Sequence, residues 1–244
     1  MASESATPRR LEEILGHQFQ DPELLEEALT HASSAGDHNE RLEHLGDAVL
    51  NLVAAEMLFH RHPHAREGLL TQWKSLLVSR ETLSRVGERL ELARHLHVGG
   101  GFRGEGVPRS LLGNAVESLI GAVYLDAGGG RLPEGGGLSA CARIAERWLE
   151  PELAALPERH ARAHAKMILQ DWAQAHRGVT PTYPVTAVHE HPDTHAFRIA
   201  AEIAGRRFAG AWASSKREAE RLAAWEAVLV LRAEGEALGS HGST

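Results

Sequence analysis

NERLEHLGDAVL, residues 39–50, is the stretch on which the reading turns. Its apolar positions recur at three and four, so it reads as a helix with Leu42, Leu45, Val49 and Leu52 on a buried side. Glu40, Glu43 and Asp47 fall at i, i+3 and i+7, which places three carboxylates on one face. Gly46 removes a side chain beside Asp47 and allows another element to approach closely. Like charges at this spacing repel, so such a face is either solvated or neutralised by a cation.

A second segment bears on that choice. Residues 110–126, SLLGNAVESLIGAVYLD, read as a largely apolar helix with Val116, Leu119, Ile120 and Val123 spread around it. It carries one acid at its centre, Glu117, with Asn114 one turn earlier. A carboxylate in such a helix needs a partner. A Mg²⁺ shared with Glu43 and Asp47 meets that need; so does a buried salt bridge or hydrogen bond, for instance to Arg41. Spacing alone leaves both open.

Working outward, residues 10–125 are mostly helical by pattern, with Asp21-Pro22 starting one helix and Gly-rich loops at 99–108 and 128–137. A further helix is predicted over 140–150. Pro151 and Pro157 then bracket a linker into a helix over about 163–175. The pattern changes after it. Residues 182–189 and 196–203 alternate like strands, 206–213 form a third, Gly205 fits the turn before it, and Ser215 caps a final helix over 216–233. The predicted fold is a mainly α N-terminal domain followed by a small α+β domain of order α-β-β-β-α. The boundaries are 10–150, a linker at 151–162, 163–234, and a disordered tail at 235–244.

Composition narrows the function classes. Of 244 residues 43% are hydrophobic, enough for real cores, and the longest apolar run, residues 48–59, is interrupted by Asn51 and Glu56 and too short to span a bilayer. The N-terminus lacks the apolar core of a signal peptide, and the single cysteine, Cys141, excludes an internal disulfide. These point to a cytoplasmic protein. Net charge is −7, which taken alone argues against a nucleic-acid partner. Residues 164–232, however, hold nine Lys/Arg against seven Asp/Glu, so the acidic excess lies elsewhere, on a domain where divalent cations can offset it.

The motifs together resemble the ribonuclease III family. NERLEHLGDAVL is similar to its signature, and the likeness extends to LTHAS at 29–33, EGLLTQWKSLLVSRETL at 67–83 and SLLGNAVESLIGAVYLD, in the family's order. The C-terminal third resembles the double-stranded RNA-binding domain that follows in that family. The resemblance implies a homodimeric endoribonuclease that hydrolyses double-stranded RNA with Mg²⁺, Mn²⁺ substituting, to 5′-phosphate and 3′-hydroxyl ends with a short 3′ overhang and no covalent intermediate. The implied substrates are precursors of ribosomal RNA and some messenger and transfer RNA. By the same resemblance Asp47 and Glu117 are the catalytic pair, Glu43, Asp47, Asn114 and Glu117 the metal ligands, and Glu40 and Glu67 outer acids of the valley.

Two positions depart from the family. Asn114 stands where Asp is usual; an amide oxygen can still ligate a hard cation but brings no charge. His44 stands where the signature has Phe, a ring that contacts the partner subunit, so His44 is the expected dimer contact. In the C-terminal domain Gln170 or Asp171 on the first helix, Thr194 or His195 in the loop between strands, and Lys216 with Arg217 at a helix start are the expected RNA contacts. The rival function is a double-stranded RNA-binding protein whose catalysis is weakened by Asn114. The runs His60, His62, His64 and His189, His191, His195 read as chance clustering among 16 histidines rather than zinc sites. Trp148, Trp172 and Trp225 read as core, and Cys141 as buried or idle.

Overall fold

The computed structural model describes residues 6–34, 36–102, 107–128, 136–191 and 194–238. The chain divides into two compact units, Met1–Leu156 and Pro157–Thr244. Among the described residues no helix is long and apolar enough to cross a membrane.

The first unit is helical: α1 (Ala6–Leu15), α2 (Pro22–Leu29), α3 (Glu40–Arg61), α4 (Glu67–Leu77), α5 (Arg80–Arg89), α6 (Arg109–Gly128) and α7 (Gly136–Ala154). Local chemistry sets several starts. Asp21 caps α2 by accepting from the Glu23 amide, with Pro22 at the first helical position. Ser79 caps α5 by accepting from the Thr82 amide. The centre is α6, whose Val116, Leu119, Ile120 and Val123 are all buried, with α2, α3, α5 and α7 packed around it. A helix apolar on nearly every side can be satisfied only in that position.

The second unit holds α8 (Leu156–Ala163), which begins at the boundary, then α9 (Ala165–Arg177), β1 (Val185–His191), β2 (Thr194–Ile203), β3 (Arg206–Ala213) and α10 (Lys216–Ala233). The strands form one antiparallel sheet in the order β1-β2-β3. β2 and β3 are joined by a two-residue turn with Ile203 opposite Arg206. Both turn residues lie at positive φ, Ala204 at 49° and Gly205 at 80°, the conformation that suits the twist of a tight hairpin and favours glycine. α10 packs against β2, β3 and α9, over a core that includes Leu169, Trp172, Phe208, Trp225 and Val228.

Three expectations need correction. Leu52, assigned to the buried side of α3, is 54% exposed; the buried stripe runs through Leu42, Gly46, Val49, Leu50 and Val53 instead. Residues 151–162, expected as a linker, are mostly helical. α7 continues through Pro151 to Ala154 and α8 follows; the proline forfeits a helical hydrogen bond, and the burial of Glu152 and Leu153 just beyond it holds the last turn in place. The chain after Gly235 is partly built into the unit: Leu238 is buried and the Trp172 indole N–H donates to Glu236 at 3.4 Å. Residues 239–244 lie outside the described residues, as do parts of both Gly-rich loops. Trp148, Trp172, Trp225 and Cys141 are core, as read from the sequence.

Candidate active site

The two acid-bearing helices, α3 and α6, meet backbone to backbone. A Cβ added to Gly46 would overlap the Glu117 carbonyl oxygen and lie 2.6 Å from its carbon and 2.9 Å from the Gly121 amide nitrogen. A Cβ on Gly121 would overlap the Leu42 carbonyl in the same way. Glycine is required at both positions for the helices to approach this closely. The contact sets Asp47, next to Gly46, beside Glu117.

The electrostatics follow from that placement. Glu117 is half-buried, and its carboxyl is pushed up to about 7, first by burial and then by the negative charges of Asp47 and Glu43; Arg80 opposes the shift. Glu43 is raised in the same direction, again chiefly by burial. A hydrogen bond from the Asn114 side chain offsets part of this, Glu40 adds repulsion, and Arg80 and His31 relieve it. An ionised carboxylate only accepts, so Asn114 gives its amide N–H to Glu43 and keeps its oxygen for another partner.

Glu40, Glu43, Asp47, Asn114 and Glu117 thus share one valley. Glu67 stands in the first turn of α4, where the Thr71 hydroxyl donates to it at 2.8 Å. Among the described residues no three His, Cys, Asp or Glu side chains already converge closely enough to hold an ion, so the valley is open rather than a closed cage. Its donors are nevertheless all oxygens, several exposed to water, which is the chemistry a hard divalent cation takes. The alternative partner for Glu117, Arg41, is exposed on α3 and is not among the charges that govern Glu117, whereas Arg80 is.

Three residues near the valley carried no role in the sequence reading. Arg80 begins α5 and acts on both Glu43 and Glu117. Asn51, one turn after Asp47, donates to its carboxylate at 2.9 Å and accepts from Lys74 at 3.0 Å. The i, i+4 spacing from Asp47 was the available signal for Asn51; nothing local in the sequence brings Lys74 or Arg80 there.

On the far side of α3 from the core, His44, Ala48, Leu52, Ala55 and Phe59 form an exposed stripe. Phe59 is 65% exposed. In the second unit Gln170 is exposed on α9 while Asp171 is half-buried, so Gln170 is the better presented of the two. Thr194 and His195 open β2 and are exposed; residues 192–193 of that loop lie outside the described residues. Ser215 caps α10 by accepting from the Glu218 amide, leaving Lys216 and Arg217 exposed on its first turn. The Lys216 ammonium sits 5.2 Å from the centre of the Phe197 ring. A groove of about 450 Å³ between the starts of α9 and α10 is lined by Lys166, Arg217 and Arg221 among others. The histidines on β1 and β2 do not converge: His189 and His191 share one sheet face, while His195, paired with Glu190, points to the other.

A family model described as Ribonuclease-III-like matches residues 21–134, and one described as a double-stranded RNA binding motif matches residues 165–231. A protein named Ribonuclease 3 from Geobacter metallireducens is 39% identical, the match covering 96% of this chain and 94% of that protein. The chain belongs to the ribonuclease III family. A second ribonuclease III, from Ectopseudomonas mendocina, is 40% identical over 92% of this chain and 96% of its own length. The nuclease domain of ribonuclease III from Campylobacter jejuni superposes with a TM-score of 0.53 at 34% identity, covering 60% of this chain and 96% of that one. A further structure of that ribonuclease III domain is described as flexible in the region involved in dimer formation; it is 35% identical with a TM-score of 0.52, covering 58% of this chain and 95% of that one.

Proposed function

We propose that this chain is an endoribonuclease that cuts double-stranded RNA by hydrolysis with Mg²⁺, Mn²⁺ substituting, leaving 5′-phosphate and 3′-hydroxyl ends. Membership of the ribonuclease III family supports the enzyme class, and the double-stranded RNA binding motif supports the substrate class. The observation that carries the finer reading is Glu117, a half-buried carboxylate facing the like charges of Asp47 and Glu43. Such an arrangement is unfavourable by itself and becomes favourable around a cation.

Asp47 and Glu117 are the catalytic acids, and with Glu43 and the amide oxygen of Asn114 they would hold the metal. A cation held there would polarise the phosphodiester and lower the pKa of a bound water. Glu43 stays oriented by the Asn114 N–H, so the amide acts on the site both as donor and as neutral oxygen ligand. Glu40 and Glu67 extend the negative rim. Because Asn114 contributes no charge, this site holds a cation more weakly than one with a carboxylate there.

Gln170 or Asp171, Thr194 or His195, and Lys216 with Arg217 read the duplex by its A-form shape, with backbone phosphates at the start of α10. The exposed stripe His44, Ala48, Leu52, Ala55 and Phe59 covers itself against a second copy, giving a homodimer in which each subunit cuts one strand; the overhang follows from the offset of the two cuts. Structured precursors of ribosomal RNA and some messenger and transfer RNA are the substrates, and the cytoplasm is the compartment.

The test is cleavage of a long RNA duplex by the full chain with Mg²⁺, beside Asp47→Ala. Cleavage that vanishes in the variant supports the enzyme. A duplex that stays intact yet shifts in a gel supports the RNA-binding protein instead. Asn114→Asp then reports on the amide: a lower Mg²⁺ requirement is expected.

A further inference from the structure

We infer that Lys74 is a positioning residue for the catalytic site, acting on Asp47 through Asn51. The inference rests on the reading of Asp47 as a metal ligand. The chain of contacts is direct. The Lys74 ammonium on α4 donates to Asn51 Oδ1 at 3.0 Å, and Asn51 Nδ2 on α3 donates both to the Asp47 carboxylate, Oδ1, at 2.9 Å and to the Asp47 backbone carbonyl at 2.9 Å.

Each link constrains the next. An ammonium has donors only, so the atom it meets on Asn51 must be the amide oxygen. That fixes which way the amide faces and turns its NH₂ toward Asp47. The NH₂ then holds Asp47 Oδ1, which leaves Oδ2 as the oxygen turned loose for a ligand. The two Asp47 acceptors favour the same orientation; Lys74 adds to it by engaging the amide oxygen and tethering the Asn51 side chain from α4, so that Asp47 is held from a second helix. The ammonium also places a positive charge one side chain away from an otherwise acidic valley. Groups that orient a metal ligand from behind commonly change metal affinity or activity by about 10–100-fold when lost.

The experiment uses the full chain and Mn²⁺ alone, with bound ion read by electron paramagnetic resonance, alongside single-turnover cleavage. Lys74→Met and Asn51→Ala are each expected to weaken Mn²⁺ binding about tenfold. The double variant should lose no more than either single one, because both break the same chain of contacts. Lys74→Arg, which keeps a donor, should recover most of the affinity. Duplex affinity without metal, by gel shift, and the circular dichroism spectrum should stay at wild-type values. Mn²⁺ binding unchanged in both single variants overturns the inference, as does a double variant whose loss is the product of the two. So does a Lys74→Met protein that loses duplex affinity in chelator while keeping Mn²⁺, since Lys74 would then be an RNA contact. If wild-type protein binds no Mn²⁺ that Asp47→Ala abolishes, the metal reading itself falls and takes this one with it.

Discussion

Replacing Glu117 with Gln should stabilise the metal-free protein while abolishing cleavage. Glu117 is raised from 4.5 to about 7 by burial and by its neighbours Asp47 and Glu43. At about 1.4 kcal/mol per tenfold, that displacement corresponds to about 3 kcal/mol against the ionised form. Glu117 is only half-buried, so water screens the repulsion, and about 1–2 kcal/mol is the working expectation. The sign follows from proton counting. Between the two values the native state keeps a proton that the unfolded chain has released, so raising pH through that window withdraws stability. The stabilising effect of Glu117→Gln should therefore be absent near pH 4, grow through about pH 5–7, and be complete by about pH 8. The assay is hydrogen exchange of the α6 amides in chelator across that range, which reports on the first unit alone. Mg²⁺ should slow exchange in the wild type at about pH 8 and slow it much less in the variant, which keeps the other oxygens but loses one negative charge. Equal protection of the two proteins at both ends of the range would refute the argument, since it would mean that Glu117 feels no net repulsion.

Other perturbations test other parts. Gly46→Ala forces a methyl into the Glu117 carbonyl; a loss of about 3 kcal/mol is expected in denaturant unfolding, with cleavage lost and duplex binding by the second unit kept. Glu152 is 5% exposed and receives Arg85 at 2.7 Å and Arg89 at 2.8 Å. Burial alone would push its carboxyl up, but the two guanidinium groups outweigh that and hold it low. Glu152→Ala removes the carboxylate the two arginines share, while Arg85 keeps Glu81 and Arg89 keeps the Trp148 carbonyl, and should cost about 2 kcal/mol by thermal unfolding of the first unit. Leu52→Asp places a charge in the exposed stripe of α3 and should yield monomers in sedimentation without loss of helicity. Lys216→Ala and Arg217→Ala should each flatten the salt dependence of duplex binding by about one in log–log slope.

Much of this architecture was legible because local and tertiary signals agreed. The final helix runs from Lys216 to Ala233, as its cap predicted: Ser215 accepts from Glu218 and the apolar rows continue to the end. α6 read as buried on several sides because Val116, Leu119, Ile120 and Val123 are spread around it, and all four are buried at the centre of the first unit. Leu52 was misplaced because a period of three to four fits two stripes on a helix of 22 residues. Only the packing partner decides which stripe is buried, and an exposed apolar stripe looks the same in sequence. The helical course through Pro151 was missed because proline was read as a boundary, whereas Glu152 and Leu153 just beyond it are buried and their packing carries the helix past it. In the valley, Glu43, Asp47 and Glu117 stood out as charges in patterned helices. Lys74 and Arg80 did not, because each reaches the site from a different helix and neither has a neighbour in sequence that betrays it.

The paired glycines where α3 crosses α6 have one more consequence. In most proteins the gap between two reactive groups is set by layers of side chains, and drifts whenever those layers are exchanged for others of different volume. Here Gly46 and Gly121 bring main chain against main chain, with no side chain of either residue in between. The separation of Asp47 from Glu117 is thereby referred to peptide bond lengths and helix radius, quantities common to every sequence. Mutation can remodel the surrounding core, and lower its melting point, while the gauge between the two acids stays the same.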